Sequence, residues 1–104
     1  MGSVFILMFS ALYTSAESTY PETVGVIQTL YQDELQALHN YIAFAQKAEA
    51  ENYPDIANLL HAFATSESIH ARNFKKILSA LNVKIKKIPV QPVKVSKYKN
   101  IATD

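Results

Sequence analysis

The sequence predicts an all-α protein: a long antiparallel helical hairpin that makes half of a four-helix bundle, followed by an extended C-terminal tail. Three observations carry that reading. Apolar residues recur every three or four positions over two long stretches, residues 21–51 and 54–81. The break between them, Asn52-Tyr53-Pro54-Asp55, is short enough to make the two helices run antiparallel. Two helices alone hide one stripe each, so the aromatic residues Tyr31, Tyr41, Phe63 and Phe74 on their apolar faces call for further helices to cover them.

At 104 residues the chain is one small domain. Half of it is apolar, yet only two glycines and four prolines interrupt it and mean hydropathy is +0.00, which suits a soluble helical protein better than a disordered or fibrous one. Zero cysteines exclude disulfides, thiolate zinc sites and iron–sulfur clusters within this sequence. The net charge of +1 is unevenly placed: residues 1–82 carry four basic and eight acidic side chains, and residues 83–104 carry six lysines and one aspartate.

In chain order, residues 4–12 form an apolar run too short to span a bilayer as a helix. Thr14-Ser15-Ala16 follows with the small residues that a signal peptidase needs, so residues 1–16 read as a signal peptide and Glu17 as the first mature residue. That reading implies a periplasmic or secreted protein. No Lys or Arg precedes the run, and the alternative is an apolar helix packed on the bundle or a loose membrane anchor, in a protein that would be cytoplasmic. Residues 17–82 form the hairpin domain. Thr19 fits an N-cap, with Glu22 three residues on completing a capping box and Pro21 in the first turn. The first helix carries Ile27, Leu30, Tyr31, Glu34, Leu38, Tyr41, Ala45 and Ala48 on one face. Asn52 takes the left-handed conformation that ends it, and Pro54 opens the second helix. That helix presents Leu60, Phe63, Glu67, His70, Ala71, Phe74, Leu78 and Leu81 on one face, with Asn82 as its cap. Beyond it, residues 83–104 alternate apolar residues with Lys and include Pro89 and Pro92, the pattern of an extended segment. The segment lacks Arg and offers only Tyr98 for stacking, so a solvated strap along the bundle is favoured over a nucleic-acid or lipid-binding patch.

Three residues on these stripes need explaining. Glu67 and His70 are almost one turn apart, so they project from the same face, and Glu34 sits at comparable depth on the first helix. A charge taken out of water must be paired or ligated, and two carboxylates with an imidazole converge naturally on a metal ion. Hard oxygen ligands with one imidazole suit iron or manganese. One Glu from one helix and Glu-x-x-His from its neighbour is half of a carboxylate-bridged dinuclear site of the kind built in bundle cores. His39 and His61 fall off this face and read as surface or interface histidines, and Glu49, Glu51, Lys47, Lys75 and Lys76 as solvated.

From Glu34 to about Leu78 the sequence resembles the first helix pair of the ferritin-like domain of rubrerythrin. The resemblance is carried by Glu34 followed by Ala37, Tyr41, Phe44-Ala45, Glu51, Ile56-Ala57 and Glu67-x-x-His70-Ala71, with 33 residues from Glu34 to Glu67. It implies Glu34 as a terminal or bridging carboxylate, Glu67 as a bridging carboxylate and His70 as the nitrogen ligand of a dinuclear iron centre. Tyr41 would act from behind, donating a hydrogen bond to a ligand carboxylate, although a packed core tyrosine accounts for it equally. The implied activity is reduction of peroxide or dioxygen with ferroxidase activity beside it. The family repeats the pattern on a second helix pair after a crossover, which the Lys- and Pro-rich tail resembles. Two readings follow: a truncated version of a longer protein, or a homodimer (or larger even-numbered assembly) in which two copies share one ferritin-like bundle and its iron. The second is similar to the encapsulated ferritins and admits an iron-holding module without turnover; the first admits a structural half-domain. The family's cysteine-ligated rubredoxin domain has no counterpart here, so the electron donor is left unassigned.

Overall fold

The computed structural model describes residues 20–95, and among them the regular structure is two helices, α1 (Pro21–Ala50) and α2 (Pro54–Ala80). The N-terminal apolar run, the proposed N-cap Thr19 and residues 96–104 lie outside the described residues. α1 has 30 residues, about 45 Å at ~1.5 Å per residue. Its N-cap is Tyr20, which makes no side-chain capping bond, and Glu22 therefore stands second in the helix. This corrects the expected capping box: Pro21, with its φ already helical and no N–H to satisfy, starts the helix one residue later than Thr19 would. Tyr53 and Pro54 repeat the arrangement at the start of α2.

Both helices end the same way. Asn52 (φ 63°) and Asn82 (φ 57°) adopt the left-handed conformation, which Asn tolerates better than most residues. At the first end Asn52 N–H donates to the Glu49 carbonyl at 3.1 Å and Tyr53 N–H to that of Ala48 at 2.8 Å. At the second, Asn82 donates to Ser79 and Val83 to Leu78, both at 3.0 Å. These paired bonds are the Schellman arrangement, which satisfies carbonyls that a helix end otherwise leaves orphaned. The first of them folds the chain into the hairpin. Its antiparallel sense is fixed by contacts running in opposite order along the two helices: Glu49 meets His61, and Glu34 meets His70.

The helices meet along a seam of small residues. The buried side chains are Ala45 and Ala48 on α1, and Ala57, Ala64, Ala71 and Leu78 on α2. The α2 members recur every seven residues, the repeat that keeps one line of a helix facing a partner. Alanines on that line leave little side-chain volume between two helices, whose axes in packed pairs are ~8–10 Å apart depending on the side chains at the contact. Only the alanines and Leu78 of the expected apolar stripes are buried. Phe63 is 43 % exposed, Leu30 39 % and Ile77 44 %, and Leu60 and Phe74 are half-buried. The physical reason is that two helices touch along one line, and the width of each stripe exceeds that line.

After Asn82 the chain has no regular structure through residue 95 and runs back along α1 as a strap. Gln28, Gln32 and Gln36, spaced by four, donate their side-chain amides to the carbonyls of Lys84 (3.2 Å), Ile88 (3.1 Å) and Gln91 (3.0 Å). Gln36 also accepts from the Gln91 N–H at 2.7 Å. An extended segment with two prolines has no ladder partner of its own, and this row of amides supplies one. Gln32 and Gln36 flank Glu34 by two residues on either side, roughly 200° around the helix, so the strap occupies the side of α1 away from Glu34.

Two substitutions test this packing. Ala64→Leu should destabilise the hairpin by about 1–3 kcal/mol through overpacking of the seam, while Ala62→Leu, at an exposed position, should stay within about 0.5 kcal/mol of the parent in urea unfolding. Gln36→Ala should speed amide exchange at Gln91 without changing exchange in the middle of α2, since it removes both bonds that hold the strap there.

Candidate metal centre

The seam sets the register of the site. Glu34 stands sixteen residues before the end of α1 and His70 sixteen after the start of α2, so at equal rise per residue they come level across the hairpin. Glu67 is three residues before His70 on the same face. The result is a triad: His70 Nδ1 lies 3.4 Å from Glu34 Oε2 and 3.4 Å from Glu67 Oε2. One donor atom from each of the three falls within 4.8 Å of the others. Both glutamate side chains are 20 % exposed and the imidazole is 51 % exposed. The sequence placed these carboxylates inside a buried stripe; the structure puts them beside the seam, screened by it on one side and open on the other.

Glu34 Oε2 is itself buried and has no hydrogen-bond partner. A carboxylate oxygen in that condition carries the full penalty of lost hydration unless a cation meets it. Among the described residues the positively charged side chains pair elsewhere or stand in solvent, and the group nearest both carboxylates is an imidazole presenting a nitrogen lone pair or N–H. Two hard oxygens and one nitrogen form a donor set that fits iron or manganese.

The other residues singled out from the sequence sort clearly. Tyr41 does not hydrogen-bond to the triad among the described residues; its ring packs on Phe63, centroids 5.4 Å apart and planes tilted by 53°. That contact bridges the helices on the turn side of Glu67. His39 is exposed. His61 is exposed too, and its Nε2 lies 2.8 Å from Glu49 Oε1, tying α2 to the last turn of α1 on the surface. Lys75 and Lys76 are exposed as expected. Glu51 and Lys47 are not: they are 17 % and 19 % exposed and face each other at 3.7 Å, one turn apart, with Glu51 Oε2 buried and without a hydrogen bond. Their position at the C-terminal end of α1, Lys47 in its last turn and Glu51 at its C-cap, withdraws them from solvent, a consequence of the hairpin reversal that helical periodicity does not reveal. Hollows in the surface lie away from the triad, between the strap and α1 where Tyr31, Gln32, Ile85 and Ile88 meet, and where Leu38, Ile42, His61 and Arg72 meet.

A hairpin of long helices with a Glu on one and Glu-x-x-His on the other defines a class, the ferritin-like carboxylate proteins, of which it is half a bundle. Comparison with known proteins narrows the class. The family model for rubrerythrin matches residues 26–102, and the chain belongs to the rubrerythrin family. Among its relatives is a protein named Rubrerythrin-2 from Clostridium acetobutylicum, 38 % identical over 56 residues, which are 54 % of this chain and 30 % of that one. The match thus spans less than a third of the relative's length. No solved structure gives a significant match.

If the triad holds metal, Glu67→Ala should abolish most binding of Co(II), followed by its visible absorption, whereas His39→Ala should bind as the parent does. Equal metal content in the parent and the Glu67 variant would remove the triad from consideration.

Proposed function

We propose that the triad is one half of a dinuclear non-haem iron site shared by two copies of the hairpin, and that the loaded protein reduces peroxide or dioxygen and oxidises Fe(II). The observation that carries this reading is the buried, unpartnered Oε2 of Glu34 converging with Glu67 and His70. Membership of the rubrerythrin family supports the iron; manganese satisfies the same donors. Bound iron would supply the two electrons that, with two protons, reduce one peroxide to two waters.

The chain's own residues do the rest. Glu34 and Glu67 bring two negative charges, which favour the more highly charged oxidised ions. His70, through Nδ1, is the nitrogen donor, and its half-exposed ring marks the open side from which a small oxidant can approach. The Tyr41–Phe63 ring pair flanks the triad on the turn side. The second carboxylate pair and second imidazole come from the partner copy through a two-fold axis, since an isologous contact brings identical patches together. The same contact would cover Leu30 and Phe63, which the single hairpin leaves exposed. In this reading the electron donor for repeated turnover is a separate reductant.

Protein loaded anaerobically with Fe(II) and mixed with one peroxide per two irons should show oxidation of the bound iron within one turnover, and Glu67→Ala should lose that phase along with the iron. Iron bound at one ion per chain but inert to peroxide and dioxygen would leave an iron-holding module in place of an enzyme.

A further inference from the structure

We infer that each chain takes up its own divalent cation before a second copy docks, and that this ion is what permits the docking. The inference rests on the shared-site reading above and concerns the order in which that site is built.

The first observation is that one chain already presents a complete three-donor set. Adjacent donors around an octahedral ion with ~2.1 Å bonds are about 3 Å apart. His70 Nδ1 is 3.4 Å from each glutamate oxygen and all three donor atoms lie within 4.8 Å of one another, so side-chain rotations can bring the set together on one ion. Nothing from a partner is needed to hold the first ion, and the open side of His70 leaves positions for water or a later bridging carboxylate.

The second observation is the character of the surrounding face. Leu30 lies one turn before Glu34, Phe63 one turn before Glu67, and Ile77 two turns after His70; all three are large, apolar and exposed. In the middle of them stand two carboxylates with only an imidazole beside them. Docking two such faces without metal would gather four carboxylates in a space drained of water, where like charges raise each other's energy and desolvation adds to the cost. With a divalent ion on each chain, two carboxylates and a neutral imidazole balance the ion's charge. The face then becomes neutral and apolar throughout. A second copy is the occupant that fits, because its half-site supplies the donors the first ion lacks. The strap, held by Gln28, Gln32 and Gln36, already takes the opposite side of α1.

The order of assembly follows. The ion binds the monomer first and then strengthens association, because it stabilises the dimer more than the separate chains. This differs from a site formed only when the two chains meet, in which the monomer would bind nothing.

Native mass spectrometry and sedimentation velocity of the 104-residue chain, over a dilution series with and without Mn(II), decide it. Mn(II) should appear in monomers at one ion per chain and in dimers at two per dimer, with the dimer dissociation constant lowered at least about tenfold relative to metal-free protein. The double variant Glu34→Gln, Glu67→Gln, confirmed helical by circular dichroism, should bind no Mn(II) and yet dimerise without it, because its face carries no charge to neutralise. Ions seen in dimers but never in monomers would overturn the inference, as would metal-free parent that dimerises as tightly as loaded protein. A folded double variant that stays monomeric would also overturn it. Dimers holding one ion, or two ions per chain, would instead bring down the shared-site reading beneath it.

Discussion

Everything the hairpin does depends on how closely its two helices approach. A seam of Ala45 and Ala48 against Ala57, Ala64, Ala71 and Leu78 is alanine at every position but the last. Larger residues there would push the axes apart, and a glutamate side chain reaches only so far from its backbone. Because the seam is thin, Glu34 on one helix and His70 on the other come within 3.4 Å without leaving ordinary helical positions. The same closeness lets the Tyr41 and Phe63 rings meet, tilted, from opposite helices. The seam thus trades stability for geometry. Alanine buries little apolar area, and at about 25 cal/mol per Å² it contributes little hydrophobic free energy per residue.

That trade explains which parts of the molecule were legible beforehand. The helices, the reversal at Asn52 and the cap at Asn82 are local matters, written in the three-to-four periodicity and in the ability of asparagine to adopt positive φ. The triad was legible for a similar reason: a carboxylate and an imidazole on an apolar stripe break a pattern that everything else on the stripe keeps. The alanine heptad was equally present in the sequence at 57, 64 and 71, but alanine is common in any helix and its meaning depends on what lies opposite. The glutamine row at 28, 32 and 36 was silent for another reason. Its partners are backbone carbonyls more than fifty residues away, and no side-chain pattern in the strap announces them.

The two buried, unpartnered carboxylate oxygens show why context must separate similar facts. Glu51 Oε2 and Glu34 Oε2 are alike in lacking a hydrogen bond. Glu51 has Lys47 at 3.7 Å, so its charge has a counterpart, and it stands in no cluster of donors. Glu34 has a second carboxylate and an imidazole converging on the same point. A lone orphaned oxygen reads as the side effect of a tight turn. An orphaned oxygen whose neighbours are all potential metal donors reads as a place suited to a cation.

Among the described residues few large apolar side chains are buried, and several are more than a third exposed. A two-helix unit of this kind cannot draw much stability from its own interior, since small chains bury too small a fraction of their surface. Its polar cluster and its uncovered apolar residues lie on the same side, so covering one means covering the other. If a bare carboxylate pair opposes that covering and a bound cation removes the opposition, folding, metal uptake and assembly become one linked equilibrium. In such a molecule a bound cation would contribute to structure first, and the carboxylates that would hold it would also be the charges that keep unloaded chains apart.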